Sequence, residues 1–228
     1  NVVVPTGNFG NILAAYYAKK MGLPIHKLIC ASNSNNVLTE FLKTGVYNRN
    51  REFHATISPS MDILISSNLE RLLFDVTGHN TEKVAGWMKE LSETGRYQVD
   101  AETLAAIQEV FAADYCDDKT TEETIAEVYE STHYLCDTHT AVAVNAYEQY
   151  LQETKDDTPT VVVSTASPYK FTDSVLKAVS KHYDAAMDEF AKVQQLSKET
   201  GTEIPAPIAA LESKTVRFQN VCTPQTMS

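Results

Sequence analysis

At 228 residues and 43% hydrophobic content, the chain can bury a sizeable core and reads as one globular domain, or one and a fraction. A formal net charge of −11 without clustered Lys and Arg argues against nucleic-acid binding. No apolar run approaches membrane-spanning length, and Cys30, Cys116, Cys136 and Cys222 are too widely spaced for a disulfide framework or a zinc site. A cytoplasmic protein with free thiols and no metal is the expectation.

The first stretch, NVVVPTGNFGNILAAYYAKKMGLP from Asn1 to Pro24, reads as a strand, a short loop carrying Gly7 and Gly10, and an amphipathic helix. N–H groups in a helix's first turn lack intrahelical acceptors and sit at the positive end of the macrodipole, so such a loop suits an anion. It also serves as a mere tight connection in many α/β proteins. The chain opens inside this strand, without Met, cap or turn before Val2, and a buried strand needs neighbours on both sides. The expectation is a fragment whose N-terminal part is missing.

Lys27 to Ala31 could form the next parallel strand, giving a βαβ unit with a right-handed crossover. The polar cluster Ser32 to Asn36 then leads to a brief helix, Val37 to Lys43, stopped near Gly45. Arg49 to Ile57 is ambiguous, with an extended segment as one option, and Ser58-Pro59-Ser60 starts a new helix. In MDILISSNLERLLFDVTG the helical spacing is interrupted by Ser66, Ser67 and Asn68. Those residues mark either a functional bend or a second cap opening the helix that contains Leu69 to Val76.

Thr81 to Thr94, Ala101 to Ala113 and Thr120 to Thr132 read as three amphipathic helices, with capping chemistry at Thr81 and at Thr120. Together they predict a helical excursion from the sheet over about 81–132, with Trp87 as a core anchor. Asp137 or Thr138 caps the next helix. His139 in its first turn suits either an acid/base role or a structural one, and the structural one is favoured. Thr160 to Ser164 is the clearest strand after the first, and Thr165-Ala166-Ser167-Pro168 ends it. Ligands of open parallel sheets gather at strand C-terminal ends, so Thr165 and the opening loop could face one crevice. Helices follow at Phe171 to Lys181 and Ala185 to Thr200, then a short one to Leu211 and a strand-like VRF in the tail from Thr215.

Four stretches, VPTGNFGNILAAYYAKKMGLP, SPSMDILISSNLERLL, DTHTAV and STASPYKF, resemble the threonine synthase family in their order along the chain. The resemblance implies a pyridoxal-phosphate (PLP) lyase of the tryptophan-synthase-β-like fold type II: an open, mostly parallel sheet flanked by helices. It covers the C-terminal portion, so residues 1–228 would form a single α/β domain with the helical insertion. The N-terminal domain and the lysine that holds PLP as a Schiff base, in a Phe-Lys-Asp context, would lie upstream. No catalytic residue is therefore expected within the chain, and Lys170 is not that lysine's counterpart.

By the same resemblance, Thr6, Gly7, Asn8, Phe9, Gly10 and Asn11 match the cofactor-phosphate loop. Thr165 matches the hydroxyl that hydrogen-bonds the pyridine nitrogen, a partner that leaves this nitrogen largely neutral. Ser66, Ser67, Asn68 and Arg71 match a stretch near the substrate's phosphate, with Arg71 alternatively a surface or domain-packing residue. Many relatives carry His where this chain has Ser167. The implied reaction converts O-phospho-L-homoserine and water to L-threonine and phosphate. Rival readings are a serine/threonine dehydratase of the same fold and a non-catalytic phosphate-binding or assembly module. Exposed strand edges could pair between copies, making a homo-oligomer.

Overall fold

The computed structural model describes residues 1–227. Its organising strand is β1 (Val2–Pro5), whose β-branched side chains suit a pleated surface buried on both faces. The Gly7–Phe9 turn leads into α1 (Gly10–Lys20), and β2 (Leu28–Ser32) returns parallel to β1, with Val2 opposite Leu28 and Pro5 opposite Ala31. This is the expected βαβ unit. Next comes α2 (Val37–Thr44), ended by Gly45 at φ 75°, a left-handed conformation that glycine enters without a Cβ clash.

The region that follows departs from the sequence expectation in instructive ways. The extended piece is β3 (Val46–Asn48), before Arg49 rather than after it, and Pro59–Met61 makes only a 3-10 turn. Residues 62–68 are irregular throughout, so Ser66 to Asn68 interrupt no helix; α3 (Leu69–Val76) opens directly after them, with Asn68 in the cap position but making no side-chain cap bond. For α4 (Thr81–Thr94) the cap is Asn80, whose side chain accepts from the Lys83 N–H, and not Thr81. β4 (Arg96–Gln98) pairs antiparallel with β3, stacking Tyr97 on Tyr47 with ring centroids 5.3 Å apart, and Trp87 packs against Tyr97 as a partly buried member of the same core.

The run expected as a helix from Ala101 to Ala113 splits into α5 (Ala101–Val110) and β5 (Phe111–Tyr115), so the stretch 81–132 returns to the sheet once. No Gly or Pro separates the two, and the switch is made by Phe111 alone, at φ −104° and ψ 141°. Pairing with β2 over all five residues outweighs the helical pattern. α6 (Asp118–Thr132) is capped by Asp117 and α7 (Thr138–Thr154) by Asp137.

β6 (Val161–Val162) is shorter than the Thr160 to Ser164 strand expected. α8 (Thr172–Val179), α9 (Glu189–Thr200) and α10 (Ala206–Ala209) are trimmed versions of the expected helices, and Val216 and Phe218 lie exposed in irregular chain instead of a strand.

The four parallel strands stand in the order β5-β2-β1-β6. Alternation sends Val4, Leu28 and Cys30 to one face, with Ile12 and Leu13 of α1 and Leu38 and Phe41 of α2. Val3, Ile29 and Ala31 go to the other, where the small residues Ala143 and Ala146 let α7 lie close. Each fully buried Val or Leu in these layers contributes about 1.5–3 kcal/mol of apolar transfer free energy. A third cluster joins α6, α8 and α9 through Ile125, Leu176 and Leu196. Among the described residues no helix is long and apolar enough to cross a membrane.

Because β2 follows β1 on one side and β6 lies on the other, the strand order reverses at β1. The loops leaving β1 and β6 therefore flank a crevice, which is where open α/β sheets bind ligands.

Candidate active site

The loop after β1 is built tightly. Thr6 donates its N–H to Ala31 O at 2.9 Å and its hydroxyl to Val4 O at 2.6 Å, so its side chain closes the strand end. Phe9 takes φ 62°, unusual for a residue with a Cβ, and is held there by burial of its ring, 5.7 Å from that of Phe111. Phe9 is also the N-cap of α1 and offers no side-chain acceptor. The first helical bond runs from Leu13 N–H to Phe9 O, leaving the N–H groups of Gly10, Asn11 and Ile12 ahead of it for another acceptor.

The loop's carbonyls are occupied from behind. Ser66 donates its hydroxyl to Gly7 O at 2.8 Å, and Asn68 donates Nδ2 to Asn8 O at 2.7 Å. Asn68 thus ties the cup to the start of α3 instead of capping that helix. Gly7 serves a purpose that no local pattern discloses: a Cβ there would meet Ser60 O at 2.6 Å, so glycine is required by the neighbouring Ser58–Met61 turn. At Gly10 an added Cβ would meet only Asn68 Nδ2, at an ordinary 3.7 Å.

Across the crevice, Thr165 and Ala166 follow β6, and Ser167 accepts the Tyr169 N–H at 3.3 Å to shape the turn carrying Lys170. The result is a cleft of about 340 Å³ bringing Thr6, Gly7, Asn8, Phe9, Gly10 and Asn11 together with Thr165. Ser60, Met61, His139 and Lys170 also line it, and the lining contains no carboxylate. Of these, Lys170 stands out in its motif but not as a cleft residue, and Ser60 carries no local signal. Ser67 and Arg71 lie outside this lining. Arg71 is exposed and borders a separate hollow with Tyr17, Glu70, Phe74 and Val84.

Electrostatics reinforce an anion site. Open N–H donors, the α1 dipole and the Lys170 ammonium point to negative charge, and no acidic side chain opposes it. Burial pushes the Cys30 thiol, under the loop, up to about 12, which disfavours its thiolate form. Burial alone would raise Asp137, but hydrogen bonds from His139 and Thr140 outweigh it and hold its carboxyl below the usual range. A phosphate ester fits this cup, and the Thr165 hydroxyl across the cleft suits a neutral ring nitrogen.

Fold and cleft together define an open-sheet α/β protein with a cup of free backbone N–H groups at its topological switch point. A family model described as threonine synthase, C-terminal, matches residues 140–226. Threonine synthase of Saccharomyces cerevisiae is 41% identical over 210 residues, covering 86% of this chain and 41% of that protein. The crystal structure of threonine synthase from yeast superposes with a TM-score of 0.79 at 37% identity, over 94% of this chain and 42% of the other. A structure described as PLP-bound threonine synthase from Brucella melitensis gives 0.74 at 43% identity, over 78% and 38%. The chain belongs to the threonine synthase family, and its fold is that of the type II PLP enzymes. It spans about two fifths of the length of these relatives.

Proposed function

We propose that this chain supplies the phosphate cup and ring-nitrogen wall of a PLP-dependent threonine synthase, which converts O-phospho-L-homoserine and water to L-threonine and phosphate. The observation that carries the reading is the meeting of the Thr6–Asn11 loop and Thr165, 159 positions apart in sequence (165 − 6), in one carboxylate-free cleft. PLP, when bound, supplies the electron sink that makes protons beside a substrate's amino group removable.

The chain's own residues do the rest of what is assigned here. The N–H groups of Gly10, Asn11 and Ile12 bind the cofactor phosphate, and Lys170 adds long-range attraction. Thr165 donates to or accepts from the ring nitrogen without placing a full charge beside it. Ser66 and Asn68 hold the cup's carbonyls away from the anion. Ser67 and Arg71 remain the candidates for the substrate's phosphate, Arg71 making no ion pair among the described residues. The Schiff-base lysine belongs, in this proposal, to a part of the protein outside these 228 residues, since no Phe-Lys-Asp occurs in them. The proposed compartment is the cytosol, where the four free thiols stay reduced.

The test is a titration of the protein with PLP and, separately, with inorganic phosphate, followed by cofactor absorbance. Preference for PLP supports the proposal, and equal affinity for the two would replace it with a general phosphate-binding module. Competition between O-phospho-L-homoserine and serine on the protein carrying the lysine separates a synthase from a dehydratase.

A further inference from the structure

One wall of the cleft is positioned by a buried pair behind it. His139 and Asp137 are buried together at the start of α7. The Ser60 N–H donates to His139 Nε2 at 3.2 Å, which requires that nitrogen to carry no proton. The imidazole in this bond is therefore neutral, with its proton on Nδ1, 3.2 Å from Asp137 Oδ1. Asp137 is itself fixed by the backbone N–H groups of His139 and Thr140, at 2.9 and 3.3 Å, and by the Thr140 hydroxyl. Phe171 packs on the ring with centroids 4.7 Å apart and keeps it from turning.

Both ring nitrogens are thus engaged, which leaves His139 no free nitrogen for acid or base work. What it holds is informative. The turn it ties down, Ser58–Met61, is the one whose Ser60 carbonyl abuts Gly7, and among the described residues the Ser60 N–H has no other acceptor. Asn33 donates Nδ2 to Ser58 Oγ at 3.0 Å before the turn and to Asp62 Oδ1 at 2.8 Å after it, so both flanks are anchored and the Ser60 peptide between them is held by His139.

We propose that His139, oriented by Asp137, is a positioning residue for the cofactor cup. It pins the Ser58–Met61 turn against Gly7 and so fixes the loop whose N–H groups receive the phosphate, acting through Ser60 and not on the ligand. The proposal rests on the anion-cup reading above.

Two substitutions separate the acceptor from the bulk: His139→Gln keeps an oxygen acceptor able to reach the Ser60 N–H, and His139→Leu keeps volume without one. Hydrogen exchange is followed in the full chain at residues 58–62 and 6–12, together with PLP affinity by titration. H139L is expected to speed exchange in both segments and to weaken PLP about tenfold, the loss expected for one hydrogen bond, while H139Q restores both. Faster exchange confined to 58–62 with unchanged PLP affinity would overturn the proposal. So would equal damage from both variants. If H139L does not fold, ring nitrogen-15 shifts of the wild-type chain decide: the Nδ1–H form is expected, and an Nε2–H form would overturn the proposal. Failure of the wild-type chain to bind PLP while the two segments stay coupled in exchange would count against the proposed function alone.

Discussion

The chain contains the tripeptide Val-Val-Val twice, at Val2–Val4 and at Val161–Val163, and the two copies have different fates. The first lies in β1, paired on both sides, with Val3 fully buried. The second contributes only Val161 and Val162 to β6 at the sheet's edge, with Val161 62% exposed. Local propensity makes both extended, and only topology decides which is core. The loops that follow them inherit the difference. After β1 the loop is bonded from several sides, whereas Thr165 after β6 is exposed.

The comparison can be broken most sharply by the same change in both copies. Val3→Asp buries an unpaired carboxylate and is expected to destabilise by about 4 kcal/mol or more, while Val161→Asp stays within about 0.5 kcal/mol. Urea unfolding midpoints report both, and similar losses would show that the two strands are equally buried. Next in size is the cup itself. Gly7→Ala forces a Cβ onto Ser60 O and should cost about 1–3 kcal/mol while weakening PLP binding. Gly10→Ala has room and gains helix propensity, so its change should be at most about 1 kcal/mol, in the stabilising direction.

Asp137→Ala removes the α7 cap and should cost about 1–2 kcal/mol at neutral pH. Its folded carboxyl lies below the unfolded value of about 3.9, so its contribution is complete above that pH. It is lost as pH falls through the folded value, and the gap between wild type and D137A, measured by denaturant titration, should narrow as the pH is taken further below the unfolded value. The smallest effect expected on binding belongs to the β6 side. Lys170→Ala should weaken phosphate or PLP binding by about 0.5–1 kcal/mol, with the deficit fading at high salt, because the ammonium is exposed and screened.

Features written in contiguous residues are legible in the sequence itself. The βαβ unit, the Gly45 stop, the opening of α3 after Asn68 and a cap at Asp137 each rest on chemistry within a few positions. So does the glycine loop. β5 is not legible in this way, because Phe111 to Ala113 continues the apolar spacing of α5 and becomes a strand only by pairing with β2. β3 and β4 are three residues each and exist through Tyr47 meeting Tyr97. The reason for Gly7 and the engagement of His139 both depend on Ser60, 53 and 79 positions away (60 − 7 and 139 − 60), and no local pattern encodes such a meeting.

The pairing of Val3 with Val162 also has a consequence in time. A ribosome that has synthesised the β1–α1–β2 unit, ending at Ser32, has already produced the loop's own residues, yet their supports at Ser60, Ser66 and Asn68 come later and the facing wall at Thr165 is synthesised 133 residues later (165 − 32). Closing so long a loop is entropically slow, which places assembly of the cleft late in folding. Until then the central strand exposes an unpaired edge, and a nascent chain of this protein passes through a period when its functional loop exists but its site does not.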